Sequence, residues 1–94
     1  MAKLSFARLK LELEEACESL RGFTLGRPGS RLRDGLAGMQ RVTDLCDRLN
    51  KLYASGPYAG KAASAVVSGR ARIAAAKARL ALLLSARARK GVHR

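Results

Sequence analysis

Ninety-four residues allow one small domain, and a net charge of +12, from 19 Lys+Arg against seven Asp+Glu, turns that domain toward polyanions. Two cysteines and one histidine are too few for a zinc module, and no apolar run approaches the roughly 18 residues of a membrane span. The charge is uneven: all seven acids lie at or before Asp47, among eight basic residues, whereas eleven basic residues and no acid follow from Arg48 onward.

Residues 3–21, KLSFARLKLELEEACESLR, carry Phe6, Leu9, Leu13, Ala16, Cys17 and Leu20 in steps of one helical stripe. Ser5 is a candidate N-cap. Glu12, Glu14, Glu15 and Glu18 occupy the polar sides and read as a solvated face rather than a catalytic pair. Leu4 and Leu11 lie off the stripe, as candidates for a second contact. In GFTLGRPGS, Gly22 is placed to end the helix, Gly26, Pro28 and Gly29 to turn, and Ser30 to cap the next helix. So short a connection between amphipathic helices predicts an antiparallel hairpin.

Residues 31–54 form the stretch the remainder is built around. Leu32, Leu36, Met39, Val42, Cys46, Leu49 and Tyr53 recur at helical spacing, with Gly35 on the same stripe and Gly38 at its edge. Arg41 and Arg48 fall on the opposite side, roughly 10 Å apart along a rod rising 1.5 Å per residue, flanked by Asp44 and Lys51. SGPYAG then breaks the pattern at Pro57.

Residues 61–89 read as an alanine-rich helix interrupted by Gly69. Val66, Ile73, Leu80 and Leu84 make one stripe, and Val67, Ala71, Ala74, Ala78 and Ala81 a thinner second one suited to a partner helix. Arg70 and Lys77 lie between the stripes, Arg72 and Arg79 outside them. The tail, residues 87–94, is basic and expected to fray. His93 within it is no candidate base or metal ligand. Cys17 and Cys46 fall on apolar stripes and read as buried free thiols of a reducing compartment, although sequence leaves a disulfide between them open.

No nucleophile elbow, HExxH, paired His and Cys or Gly-rich nucleotide loop is present, so an enzyme, a cofactor and a small-molecule substrate are not expected. A core this small supplies only about 3–5 kcal/mol, and leftover apolar seams point to a homodimer. Aromatic stacking groups for single strands are almost lacking. The outward side of the central helix offers bases little beyond Gln40, Asn50 and arginines. Arginines spaced by seven suit phosphates, and a wide, shallow minor groove lined with 2′-hydroxyls makes double-stranded RNA the best-fitting duplex.

Over residues 3–67 the layout resembles the RNA-silencing suppressors of nodaviruses, the Flock House virus type. ACESLRGFT is similar to the end of that family's first helix. The ladder Leu32, Met39, Val42, Cys46, Leu49, Tyr53 lies on its second-helix core without a gap, and Pro57 on its proline after that helix. The hairpin loop is shorter here by about one helical turn. The resemblance implies an all-α homodimer, two antiparallel hairpins forming a four-helix bundle, laid along double-stranded RNA without reading sequence. Arg41 and Arg48 fall where the family has basic residues facing RNA. Arg31 and Arg33 are near a further family arginine that has no clear counterpart, and the third helix is far more basic than the family's tail.

The expectation is therefore a three-helix, all-α protein binding double-stranded RNA through Arg41, Arg48, Lys51, Arg33, Arg31, Arg70, Arg72, Lys77 and Arg79. By resemblance it would act in a host cytoplasm, shielding duplexes from dicing and loading, with host silencing proteins as candidate partners. Two other readings use the same charge: a phage or plasmid DNA-binding protein, and a protein-partner or membrane-surface helix carried by residues 61–94. The plain alternative is a structural helical protein whose arginines only keep it soluble.

Overall fold

The structure, a computed structural model, describes residues 2–29 and 31–92, with side chains over 6–29 and 31–88. Three helices follow one another: α1 (Ala2–Thr24), α2 (Leu32–Leu52) and α3 (Ala59–Val92), each packed on the other two, with no strand among the described residues. The expected all-α, three-helix fold is what forms.

α1 buries Phe6, Leu9, Leu13, Ala16, Leu20 and Phe23 along one stripe and leaves Cys17 half-buried. It begins at Ala2, so Ser5 lies inside the helix and does not cap it. It also runs through Gly22 to Thr24, past the expected stop. A helical glycine costs about 1 kcal/mol, but the extra turn buries Phe23, which is worth about 1.5–3 kcal/mol. The Phe23 term wins. The turn is then closed by the amides of Leu25, Gly26 and Arg27, which donate to the carbonyls of Arg21, Phe23 and Gly22.

The Asp34 carboxylate accepts the Arg31 backbone N–H at 3.0 Å, closing the first turn of α2. Ser30, the expected cap, lies outside the described residues. α2 buries Gly35, Met39, Val42, Leu45, Cys46 and Leu49. Leu36, expected in this stripe, is 53% exposed, and Leu45, which was not expected, is buried. At about 100° per residue Leu36 and Leu45 lie to opposite sides of the Gly35 position. The covered arc turns toward α1, where Gly38 rests against Leu20 and Gly35 against Phe23.

α3 has a single buried stripe: Ala62, Val66, Gly69 and Ala76 are buried and Ile73, Leu80 and Leu83 partly so. Leu84 and Val67, expected on the two stripes, are 51% and 68% exposed, and Ala71, Ala74, Ala78 and Ala81 are exposed as well. The buried steps alternate four and three. The helix is seated by small residues: at Gly69 the backbone comes so close that an added Cβ would stand 2.6 Å from Cys46 Sγ.

Contacts along the rods fix their directions. The ring of Phe6 stacks on Tyr58 at 4.7 Å and meets Tyr53 edge-on at 5.0 Å, joining the start of α1 to the end of α2 and the entry to α3. Gly69 lies near Leu13, and Gly26 near Arg79. α1 and α2 are thus antiparallel, as expected of the hairpin, and α3 runs beside α1 in the same sense. α3 fills the apolar seam of the hairpin rather than only extending or capping it. With 34 residues it is also the longest rod in a molecule 59 Å long and 21 Å wide. Helix continues to Val92, where a frayed tail was expected from residue 87; His93 lies outside the described residues.

Candidate nucleic-acid interface

The bundle has three grooves, and the basic residues divide among them. Arg48 lines the α1/α2 groove, about 270 Å³, with Arg8, Glu12, Leu52 and Tyr53. Arg41 is exposed two turns earlier on the unbroken α2 rod. Arg70 and Lys77 line the α2/α3 groove, about 350 Å³, opposite Thr43 and Asp47 and over a floor of Cys46 and Ile73. Arg72 lines the α1/α3 groove, about 390 Å³, with Lys10, Lys61, Glu14 and Glu18. Arg31, Arg33 and Lys51 are exposed on the ends of α2, and Arg79 is half-buried beside Gly26.

The nine residues expected to bind therefore all reach solvent at least in part, but they do not form one face. Spacing by seven places each pair on one edge of its own helix; only packing decides which groove that edge borders. Lys61 was not singled out from sequence. Its signal was its position eleven residues before Arg72, three helical turns along the same edge.

Charge pairing sorts the cations further. Among the described residues every ion pair involves a glutamate of α1: Arg8 with Glu12 at 3.8 Å, Lys10 with Glu14 at 4.0 Å, and Glu18 with Arg21 at 3.9 Å and Arg27 at 3.8 Å. Such exposed pairs contribute about 0–1 kcal/mol each. Their consequence is local neutralisation of α1. Arg41 and Arg48 on α2, and Arg70, Arg72, Lys77 and Arg79 on α3, have no carboxylate within ion-pair distance among the described residues. Gln40, one of the few groups able to read a base edge, donates its amide to Asp44 at 2.8 Å.

Burial is the leading cause pushing both thiols above the ordinary cysteine range. It is opposed by Arg72 at Cys17 and by Arg70 at Cys46. Both cysteines are free in the structure, with no disulfide between them. Cys46 Sγ points at the Val66 carbonyl, 3.9 Å away, as part of the core. No group of metal-ligating side chains occurs among the described residues, and none of the described helices is long and apolar enough to cross a membrane.

The arrangement is a helical rod with a nearly neutral side on α1 and, among the described residues, cations on α2 and α3 that have no carboxylate at ion-pair distance. Comparisons with protein-family models, with curated proteins and with solved structures gave no match.

Proposed function

We propose that the protein binds double-stranded RNA by contacts to phosphates and 2′-hydroxyls, without reading sequence. The observation that carries this reading is the pair Arg41 and Arg48: exposed, without a carboxylate at ion-pair distance among the described residues, and two turns apart on an unbroken helix. Lys51, Arg33 and Arg31 continue the cationic surface along α2, and Arg70 and Lys77 extend it across the α2/α3 groove. Arg72, Arg79 and Lys61 add to the field from the other edge of α3. A shallow minor groove accepts a helical surface laid across it, and the scarcity of free base-reading groups favours recognition by shape.

In this reading the binding unit is a homodimer, and duplexes it covers are withheld from dicing and loading, which suppresses RNA silencing; that last step rests on the resemblance to the nodavirus proteins. A four-helix bundle of two hairpins would require α3 to leave the seam it fills. Sedimentation equilibrium tests the homodimer: a mass of two chains is expected, and a mass of one chain would overturn it.

The test of binding is a gel-shift panel of double-stranded RNA, double-stranded DNA and single-stranded RNA, with wild type and Arg48→Ala. Preference for the RNA duplex is expected, with Arg48→Ala weakening all duplex sequences alike and lowering the salt slope by about one. Unaltered mobility of duplex RNA at about 0.1 M salt, or a loss confined to some sequences, would overturn it. Equal or stronger binding of duplex DNA would instead support the DNA-binding alternative.

A further inference from the structure

The α1/α3 groove, about 390 Å³, is larger than the other two and falls within the roughly 300–1,000 Å³ of small-molecule sites. Its α3 wall presents Lys61, Ser64, Ser68 and Arg72. These four lie within about 80° of one another around the helix and span about 16 Å along it. The floor is apolar: Leu13 is buried, and Cys17 and Ala65 are partly so.

The polar groups on the α3 wall are not used by the fold. Thr24 and Thr43 show the usual fate of a helical hydroxyl: each donates to the carbonyl four residues back, Leu20 at 3.1 Å and Met39 at 2.8 Å. Ser64 and Ser68 make no hydrogen bond among the described residues. Lys61 and Arg72 have no carboxylate at ion-pair distance there. One wall therefore offers two open hydroxyls with a cation at either end. Hydroxyl, ammonium and guanidinium donors together suit the oxygens of a phosphate.

The opposite wall limits the size of the ligand. It carries Glu14, paired with Lys10 at 4.0 Å, and Glu18, paired with Arg21 and Arg27. A nucleic-acid backbone or an anionic lipid surface laid over the groove would bring its charges against both carboxylates. Either is also too broad to reach a floor set between helices packed about 8–10 Å apart. A small ligand meets neither obstacle. Its phosphate rests on the α3 wall, its neutral hydroxyls donate to Glu14, and its carbon skeleton covers Leu13 and Ala65.

We propose that the α1/α3 groove binds a small phosphomonoester that also carries hydroxyl groups, with the phosphate held at Ser64 and Ser68 and closed on by Lys61 and Arg72. The proposal goes beyond the duplex reading, which is carried by α2, and does not depend on it.

The experiment titrates the full chain, isotope-labelled for NMR, with adenosine monophosphate, glycerol phosphate, adenosine and inorganic phosphate. At least one of the two phosphomonoesters is expected to move the amide resonances of Leu13, Ser64 and Ser68 while those of Arg41 and Arg48 stay in place. The same ligand should slow iodoacetamide labelling of Cys17, which lines this groove, and not of Cys46, which lines the α2/α3 groove. Arg72→Gln should weaken binding about tenfold, and Ser64→Ala with Ser68→Ala, which keeps every charge, about fivefold or more. Circular dichroism checks that both variants retain their helix content. No shift with either phosphomonoester at millimolar concentration would overturn the proposal. So would equally tight binding of adenosine or of inorganic phosphate, or an unchanged affinity in the serine variant, which would mark attraction by charge alone. None of these failures bears on duplex binding, which the gel-shift panel reads separately.

Discussion

Gly69 shows how a single position sets the spacing of two helices. An alanine there would favour helix by about 1 kcal/mol, but its methyl would stand 2.6 Å from Cys46 Sγ and 3.4 Å from Val42 Cγ1. Both partners are buried and belong to the same core, so neither can move freely. Overpacking of this kind costs about 1–3 kcal/mol, and at 2.6 Å from a buried sulfur the upper part of that range applies and exceeds the helix gain. Gly69→Ala is therefore expected to lower the melting temperature by several degrees, at about 4–8 °C per kcal/mol for a domain of this size. Thermal melting by circular dichroism checks it, and a raised melting temperature would show that the backbones are farther apart than 2.6 Å implies. The thiols report on the same seam. Both pKa values are raised, chiefly by burial, so the protonated form is favoured in the folded state. The nucleophile is the thiolate. Alkylation at pH 8 should be slow in the native protein, slower at buried Cys46 than at half-buried Cys17, and rapid at both after denaturation. Mass spectrometry of a timed iodoacetamide reaction reads the order directly; prompt native labelling of Cys46 would contradict its burial.

Among the elements, α2 was the most legible in the sequence and α3 the least, for physical reasons. α2 contrasts bulky apolar residues with charged ones, so its stripe is set by Met39, Val42, Cys46 and Leu49 almost irrespective of neighbours. The two misassigned positions, Leu36 and Leu45, lie at the edges of that stripe, where the side from which α1 arrives decides what is covered. α3 offers alanine on nearly every side. Alanine packs or faces water at little cost either way, and the buried row through Ala62, Gly69 and Ala76 contrasts little with the exposed row through Ala71, Ala74 and Ala78. The large residues Val66, Ile73 and Leu80 marked the correct side, and Leu84 did not. The same limit applies to the candidate site: exposure of Arg41 and Arg48 followed from one helix's own periodicity, whereas the groove bordered by Arg70 or Arg72 is a property of two helices. Leu49 offers a test of α2 as the central rod. It is fully buried, and Leu49→Ala should destabilise by about 2–5 kcal/mol. Urea denaturation would measure it, and a loss well under 1 kcal/mol would show that the bundle does not depend on this helix.

At the scale of the molecule, the net charge of +12 acts on the fold itself. Arg8, Lys10 and Arg21 of α1, with Arg27 of the following loop, pair with Glu12, Glu14 and Glu18, whereas α3 carries Lys61, Arg70, Arg72, Lys77, Arg79 and Arg87 with no acid of its own. Folding gathers these cations onto the edges of one rod beside Arg41 and Arg48, closer than in an extended chain, so their repulsion opposes the compact state. The opposing attractive terms are a few exposed ion pairs, each small. The balance predicts that screening stabilises. Raising sodium chloride from about 10 mM to about 0.15 M shortens the Debye length from about 30 Å to about 8 Å, below the roughly 10 Å between residues seven apart on a helix. The melting temperature should rise across that range and then level off. A melting temperature that falls with added chloride would show that the ion pairs on α1 outweigh the repulsion along α3. Replacing Arg70 and Lys77 together by glutamine tests the source of the effect: both are exposed, and their removal should raise the melting temperature at low salt while flattening its dependence on chloride. If the protein binds a duplex as proposed, the same substitution should weaken that binding, because the cations whose repulsion opposes folding are the ones a polyanion would neutralise.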